Sequence, residues 1–469
     1  MPCVVCRVTR DRHPLTLATL CLAVLVAQLD TAVVNLATRP IGAHFHAGVD
    51  ALQWVLDSYN LVYAVLLLSG GLLADLYGRR RVFMAGLAIF VAASLVCAAA
   101  PDIGVLIAGR AGTGLGAALL VPASLAVIRV AWRDETARGR ALGVWAACNG
   151  LAMAIGPTLG GLLIHAFGWR SIFLVVIPVG VAALALAPRA IEETADPRGR
   201  SFDAPAQVLG AVALGGLALA AIESHGRPVV AAIAAIAALV ALVLFLRVER
   251  RQGDAALVPL GIFHADAFRG AIAATTAMTF GMYGVLFLLP LSWQGSGALS
   301  AIQAGLALMP MALVFVLLSP VSGRLTETVG LRVTTAGGVA VIGLGLLVIA
   351  LGADRSSIAV DEIGLVLTGL GMGIATGPLM AAAVGAVGHA RSGTASALIN
   401  VARMAGATIG VAVLGAAYAL AGGGADGLAL AMLAGGAVQL AGAATAWTAM
   451  RERRAPRRPA GRAARSGST

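Results

Sequence analysis

GLLADLYGRR, residues 71–80, sets an acid, a glycine and a pair of arginines directly after a long apolar run. GRLTETVGLR, residues 323–332, does so again: Gly71 matches Gly323, Leu73 matches Leu325, Asp75 matches Glu327, Gly78 matches Gly330 and Arg80 matches Arg332. A glycine after a helix permits a tight turn, and a small residue within one lets helices cross closely. An acid beside arginines can bridge charges or accept from a helix N-terminus. The repeat predicts two parallel halves related by an axis along a membrane normal, each carrying this loop after its second helix. One reading of the loop is a solvated turn whose arginines only set topology. The other is a latch of Gly71, Asp75, Gly78, Arg79 and Arg80 that holds the halves in one state. The spacing match across the halves favours the latch.

The rest of the chain fits that frame. Its 469 residues are 59% apolar and 12% charged, with a mean hydropathy of +0.92, far too apolar for a soluble domain. Glycine is abundant at 59 residues, which suits helices packed backbone to backbone in lipid. The apolar runs last about 20 residues and show no alternation, so helices rather than a β-barrel are expected. Fourteen runs stand out: 15–37, 52–74, 82–99, 103–124, 140–163, 169–188, 206–223, 229–247, 268–292, 304–323, 334–352, 362–385, 394–420 and 427–449. The expected fold is an all-α polytopic membrane protein, two six-helix bundles plus two inserted helices. Residues 1–14 form a cytoplasmic N-terminus and 15–190 the first bundle. The polar EETADPRGRSFD (192–203) marks a linker over 191–205, followed by the inserted pair at 206–247, the second bundle at 248–450 and a basic, disordered tail at 451–469.

All 33 basic residues are arginine, and the net charge is +11. Such a balance can signal nucleic acid, but its distribution here points to membrane topology instead. Twenty-seven arginines fall on the side of the termini, and four (Arg39, Arg170, Arg227 and Arg355) on the other. The positive-inside rule then places both termini in the cytoplasm of a cytoplasmic (inner) membrane. Arg7, Arg10 and Arg12 before the first run imitate a signal peptide, but the run is about 23 residues long without a small-x-small cleavage site, so it reads as an uncleaved span. Cys3 and Cys6 form an isolated CxxC, and Cys21, Cys97 and Cys148 fall in spans as small apolar packers. No Ser/His or His/Glu constellation lies within a span, so neither an enzyme nor a metal site is expected.

On these residues the chain resembles the major facilitator superfamily, specifically its fourteen-helix branch of proton-coupled drug exporters, over roughly residues 15–450. The loop pattern is met from Gly71 to Arg80. The span 4 pattern is met at Arg110, Gly114, Gly116, Ala117 and Ala118, with Thr113 where the family usually has Gln. The span 5 signature of antiporters is met at Gly143, Gly156, Pro157, Gly160 and Gly161, with Ala152 for one Gly. In span 1, Leu29, Asp30, Val34, Asn35 and Ala37 match, while Ala32, Thr38 and Arg39 depart, with a proline following at Pro40. The resemblance implies export of small amphiphilic compounds in exchange for protons. The proton is then the coupling ion, no other cofactor is expected, and a monomer in the lipid bilayer suffices.

Depth along the spans makes an independent case. Asp30 lies seven residues before the end of span 1, Asp57 five after the start of span 2, and Arg110 seven after the start of span 4. At 1.5 Å per residue all three sit about 7–11 Å below the outer boundary. Each charge costs roughly 2.5–3.5 kcal/mol on insertion scales, so three at one level suggest a single proton-coupling site. The plainer readings are an interfacial polar residue for Asp57, a structural carboxylate for Asp30 and a fixed salt bridge for Arg110. Candidate substrate contacts are Asn35, Tyr59, Asn149, Met278, Tyr283, Asn400 and Arg403, since polar groups and adaptable Met or aromatic side chains suit a promiscuous pocket. Each of these could instead be bundle core or an interhelical hydrogen bond. A dedicated exporter of one metabolite and a transport-inactive sensor or scaffold are the alternatives. No soluble domain stands in the sequence to relay a signal, which weighs against the sensor.

Overall fold

The computed structural model describes residues 4–195, 203–224, 226–253, 256, 258, 260–353, 357–387 and 392–450. Part of the expected linker (196–202), the tail (451–469), Cys3, Arg355 and Arg391 therefore lie outside the described residues. The described residues are almost wholly helical and contain no strand. In the first half run α1 (Val4–Phe45), α2 (Val49–Tyr77), α3 (Arg79–Ala99), α4 (Ile103–Ala131), α5 (Glu135–Phe167), α6 (Ser171–Leu174) and α7 (Val176–Ala190). The inserted helices are α8 (Ala204–Ile222) and α9 (Pro228–Gln252). The second half runs α10 (Asp266–Gly295), α11 (Ala301–Leu318), α12 (Ser322–Val329), α13 (Leu331–Gly352), α14 (Ile358–Gly385), α15 (Ser392–Leu420) and α16 (Gly424–Ala449). Taking α6 with α7 and α11 with α12 as single crossings, 14 helical stretches are long and apolar enough to span a membrane.

The pairing of helices repeats between the halves. In the first half α3 packs on α4, α2 on α4, and α1 on α5; in the second, α13 packs on α14, α11 on α14, and α10 on α15. Across the halves α2 packs on α15 and α11 on α5, which are equivalent contacts under the same two-fold relation, while α1 meets α10. The inserted α8 lies along the α2–α15 seam. Gln207 donates to the Val65 carbonyl and accepts from the Ser69 hydroxyl on α2, while Ala218 and Ile222 pack on Ala412 of α15. Outside it, α9 leaves Ile233, Ile236 and Leu239 exposed, an apolar surface suited to lipid.

Small residues decide where helices touch. A side chain on Gly70 would run into the Ala118 carbonyl of α4, whereas one on Gly71 would meet only Pro122 at 3.6 Å. The close crossing expected at Gly71 is therefore made one residue earlier, because Gly70 faces α4 and Gly71 is turned about 100° away. Gly78, between α2 and α3, has φ +104°, and Gly330, between α12 and α13, has φ +90°. A backbone in that region tolerates little but glycine, so the repeat read from sequence is a repeat of backbone conformation.

The halves meet at the face away from the termini. Gln53 donates to the Val411 and Ala412 carbonyls at 2.9 Å each, and Gln294 donates to the Leu36 carbonyl at 3.1 Å. At the equivalent seam a side chain on Gly161 would stand 2.6 Å from the Ala301 carbonyl oxygen, and one on Gly305 would collide with the Pro157 carbonyl. Toward the termini, Gly139 and Gly143 of α5 and Gly323 of α12 face open space. The contacts of Gln53, Gln294, Gly161 and Gly305 join the halves at the far face.

Candidate functional site

Arg110 is the largest fully buried side chain among the described residues. It forms a direct ion pair with Asp30 of α1, donates Nε to the Val55 carbonyl of α2 at 3.1 Å, and lies over the Tyr59 ring with Cζ 4.7 Å from its centroid. One guanidinium thereby ties α1, α2 and α4 together. Its charge is met by a carboxylate, a carbonyl and an aromatic face, three partners that offset the cost of removing it from water. Gly114 makes the approach possible, because a side chain there would collide with the Tyr59 backbone at 2.5 Å.

Asp57 does not join this pair. Tyr59 faces Arg110 and α4, and Asp57 is two residues, about 200°, away around α2. That puts it on the face of Gln53, one turn earlier, which bonds to α15 of the other half. Asp57 is fully buried, and neither carboxylate oxygen has a hydrogen-bond partner among the described residues. Since α2 and α15 run antiparallel, Thr408 stands one turn beyond Val411 and level with Asp57. Its hydroxyl is likewise buried without a partner. The common depth expected from sequence thus joins two of the three charges; helical phase separates the third.

Between the halves lie two adjoining pockets that share Thr31, Asn35 and Tyr283. The smaller is polar, completed by Leu56, Asn60, Arg110 and Val411. The larger is apolar, with Ala32, Pro157, Leu286, Leu308, Met311 and Ala312. Of the residues proposed as substrate contacts, Asn35 and Tyr283 line both. Tyr59 stands behind Arg110. Arg403 lies on the terminal side of Val411 along α15, level with Tyr63 of the antiparallel α2. Met278 does not reach the pockets: its sulfur accepts from Thr376 and its carbonyl from Gln439, inside the second bundle. Asn149 and Asn400 each donate to a carbonyl one turn back in their own helix, Trp145 and Ser396. Sequence reading passed over Asn60 and Thr31, polar residues whose placement depends on which face of each helix turns inward.

The antiporter signature is a two-sided packing surface. Gly156 and Gly160 lie against Ala32 and Val33 of α1, while Pro157 and Gly161 lie against Gly305 and Ala301 of α11 in the other half. The loop after α2 is also built by specific contacts. Asp75 pairs with Arg79 at 2.7 Å. Glu193 accepts from the backbone N–H groups of Arg80 at 3.1 Å and Arg81 at 3.2 Å, covering the free donors at the start of α3. Arg79 donates its N–H to the Thr194 carbonyl at 2.9 Å, and Arg80 reaches the Ile191 carbonyl at 3.4 Å. These partners follow α7 in the same half, so the expected latch between halves is here a clasp within one half. In the other half Arg332 donates to the Trp447 carbonyl at 2.6 Å and lies over its ring. Each half thus uses the matched arginine to hold the end of its last helix.

Residues 20–411 match the family model of the Major Facilitator Superfamily. The chain is 38% identical over 405 residues to the multidrug resistance protein Stp of Mycobacterium tuberculosis, covering 86% of this chain and 75% of that protein. It is 34% identical to the methylenomycin A resistance protein of Bacillus subtilis, covering 85% and 86%, and 31% identical to the multidrug efflux pump LfrA of Mycolicibacterium smegmatis, covering 87% and 81%. In fold it is similar to a peptide transporter POT solved in complex with sulfate, with TM-score 0.72, 14% identity, and 92% and 94% of the two chains covered. Taken with the two-fold repeat of helix contacts, these matches establish that the chain belongs to the Major Facilitator Superfamily and is a multi-pass membrane transporter.

Proposed function

We propose that this protein is a proton-coupled exporter of small amphiphilic drugs or antibiotics, working by alternating access in a cytoplasmic membrane with both termini inside. The observation that carries the proposal is Asp57: a fully buried carboxyl group without a hydrogen-bond partner among the described residues, on the seam where the halves must part. A dry seam favours the neutral form of a carboxyl group, and water or a nearby cation favours the ionised form. Opening and closing the α2–α15 seam would therefore load and release a proton there. Asp30, held by Arg110 beside the polar pocket, would couple that event to α1 and α4. One proton crossing the membrane yields about 2.3 kcal/mol per 100 mV, enough to bias the two states. The arginine asymmetry supports the orientation. The proton is the coupling ion; no metal or organic cofactor is invoked, and a monomer is sufficient.

The apolar pocket beside Met311 and Leu308 supports amphiphilic substrates, and the relatives named for multidrug resistance support breadth. A dedicated exporter of a single compound is the second reading, favoured by relatives named for methylenomycin A resistance and cephamycin export. Purified protein in liposomes, given a pH gradient, should accumulate a dye or drug, and collapsing the gradient with an ionophore should stop it. Transport that survives the collapse, or survives in both Asp57→Asn and Asp30→Asn, would show that protons are not the driver. A resistance profile over chemically diverse compounds decides between broad and dedicated export.

A further inference from the structure

Arg110 and Arg403 are the two arginines that sequence reading places inside spans, and they differ in one respect. Arg110 spends its charge on Asp30. Arg403, on α15, has no ion-pair partner among the described residues, and its Nε is buried without a hydrogen bond. It is nevertheless built in. Gln53 meets Val411 and Ala412 across the antiparallel α2 and α15, which sets Tyr63 level with Arg403, and Gly410 of α15 packs on Phe280, one turn before Tyr283 of α10; both tyrosines are buried. Arg403 also shares a face of α15 with Val411, eight residues on, which lines the polar pocket. Tyr63 stands one turn beyond Asn60, another lining residue, whose buried side-chain oxygen has no partner among the described residues. A guanidinium without a counter-charge among the described residues therefore sits on the terminal side of the pocket, on a helix packed against those that carry two phenol hydroxyls able to donate.

Resting on the efflux reading, we infer that Arg403, Tyr63 and Tyr283 form an anion-recognising subsite, and that the preferred substrates are amphiphiles carrying a carboxylate. Arg403 is half-buried, with Nε shielded from water and no counter-charge among the described residues, and a carboxylate satisfies its planar fork with two parallel charge-assisted hydrogen bonds. The phenols supply further donors to the same oxygens. The apolar pocket on the other side of Tyr283 takes the hydrocarbon body, walled by Leu286, Leu308 and Met311. Among the described residues the subsite adds no acidic group that would hold a cation.

The test uses the full-length protein in an uncharged, lipid-free detergent with two probes of one shape: 4-hexylbenzoate, which is anionic, and 4-hexylbenzamide, which is neutral. Equilibrium binding of each is measured to wild type, Arg403→Gln, Arg403→Lys and Tyr283→Phe. Wild type should prefer the benzoate by about tenfold or more, the scale of one or two charge-assisted hydrogen bonds. Arg403→Gln should remove that preference while leaving benzamide binding unchanged, Arg403→Lys should keep part of it, and Tyr283→Phe should weaken the benzoate alone. Equal wild-type binding of both probes overturns the inference. So does an Arg403→Gln protein that keeps the preference or loses both probes alike. Should Arg403→Gln not fold, the lysine and phenylalanine variants decide. Gradient-driven transport of a cationic dye by wild type in liposomes runs alongside. Its failure with the preference intact sinks only the efflux reading; its success with no preference sinks only the subsite.

Discussion

Gln53 and Gly415 meet at the far end of the α2–α15 seam, where the glutamine amide occupies the space that a side chain on Gly415 would need. From there it donates to the Val411 and Ala412 carbonyls at 2.9 Å each. A helix carbonyl has a second lone pair, so the amide binds without breaking α15. These bonds join the two halves at the far face. Each contributes about 0.5–1.5 kcal/mol, so Gln53→Ala should open the far face more often, and Gly415→Leu should do the same by expelling the amide. A cysteine placed at Ala301 in a cysteine-free background should then react with an impermeant maleimide about tenfold faster. Unchanged labelling in both variants would remove Gln53 from the gate.

Asp30 and Asp57 should separate by stability as well as by transport. Asp30→Asn leaves Arg110 buried against a neutral amide, and breaking a buried pair from one side costs about 3–5 kcal/mol. Its melting temperature in detergent should fall by several degrees, and Arg110→Gln added to it should recover part of the loss. Asp57→Asn breaks no hydrogen bond among the described residues. Its melting temperature should hold or rise while gradient-driven transport fails. A large loss of stability in Asp57→Asn would reveal a partner that the closed state hides.

Glu193 caps α3 from outside the loop that defines it. Glu193→Ala should cost about 1 kcal/mol, as losing a capping side chain does. Hydrogen exchange at the Arg80 and Arg81 amides should quicken, while Asp75→Ala should leave those two amides slow. Equal exchange in both variants would mean that the carboxylate does not hold the helix start.

Neighbouring glycines should differ sharply. Gly70→Ala drives a methyl into the Ala118 carbonyl, while Gly71→Ala meets only an ordinary contact with Pro122. The first should abolish folded, monodisperse protein and the second should be nearly silent. Gly78→Ala and Gly330→Ala both force an L-residue to positive φ, at about 1–3 kcal/mol each. Gly78→Ala should be the worse of the two because its methyl also meets Glu193. The yield of monodisperse protein reads the first, and thermal melting orders the other three.

Some of this architecture could be read directly from the chain. Run length gave the spans, because lipid demands about 20 apolar residues per helix. The match of Gly78 with Gly330 gave the two-fold relation, because positive φ leaves glycine as the residue of choice and so marks equivalent turns. Arg110 with Asp30 was legible as two costly charges at one depth. Depth, however, carries no azimuth. It set Asp57 level with Arg110, yet the 100° step of the helix turned it toward α15. For the same reason Gly71 was named where Gly70 does the packing, and Met278 was assigned to a pocket it faces away from. Glu193 lay in a stretch that read only as linker, since no local pattern tells that a residue more than 110 positions along will cap α3.

What the sequence determined by itself is therefore what lipid and backbone stereochemistry impose locally: fourteen helical spans, two matched halves, and the few positions where charge enters the bilayer. The tertiary structure alone decided which charges meet, which face of each helix lines the pockets, and at which end the halves close. Those depend on helix rotation and on contacts between residues hundreds of positions apart, such as Gln53 with Val411 and Gln294 with Leu36.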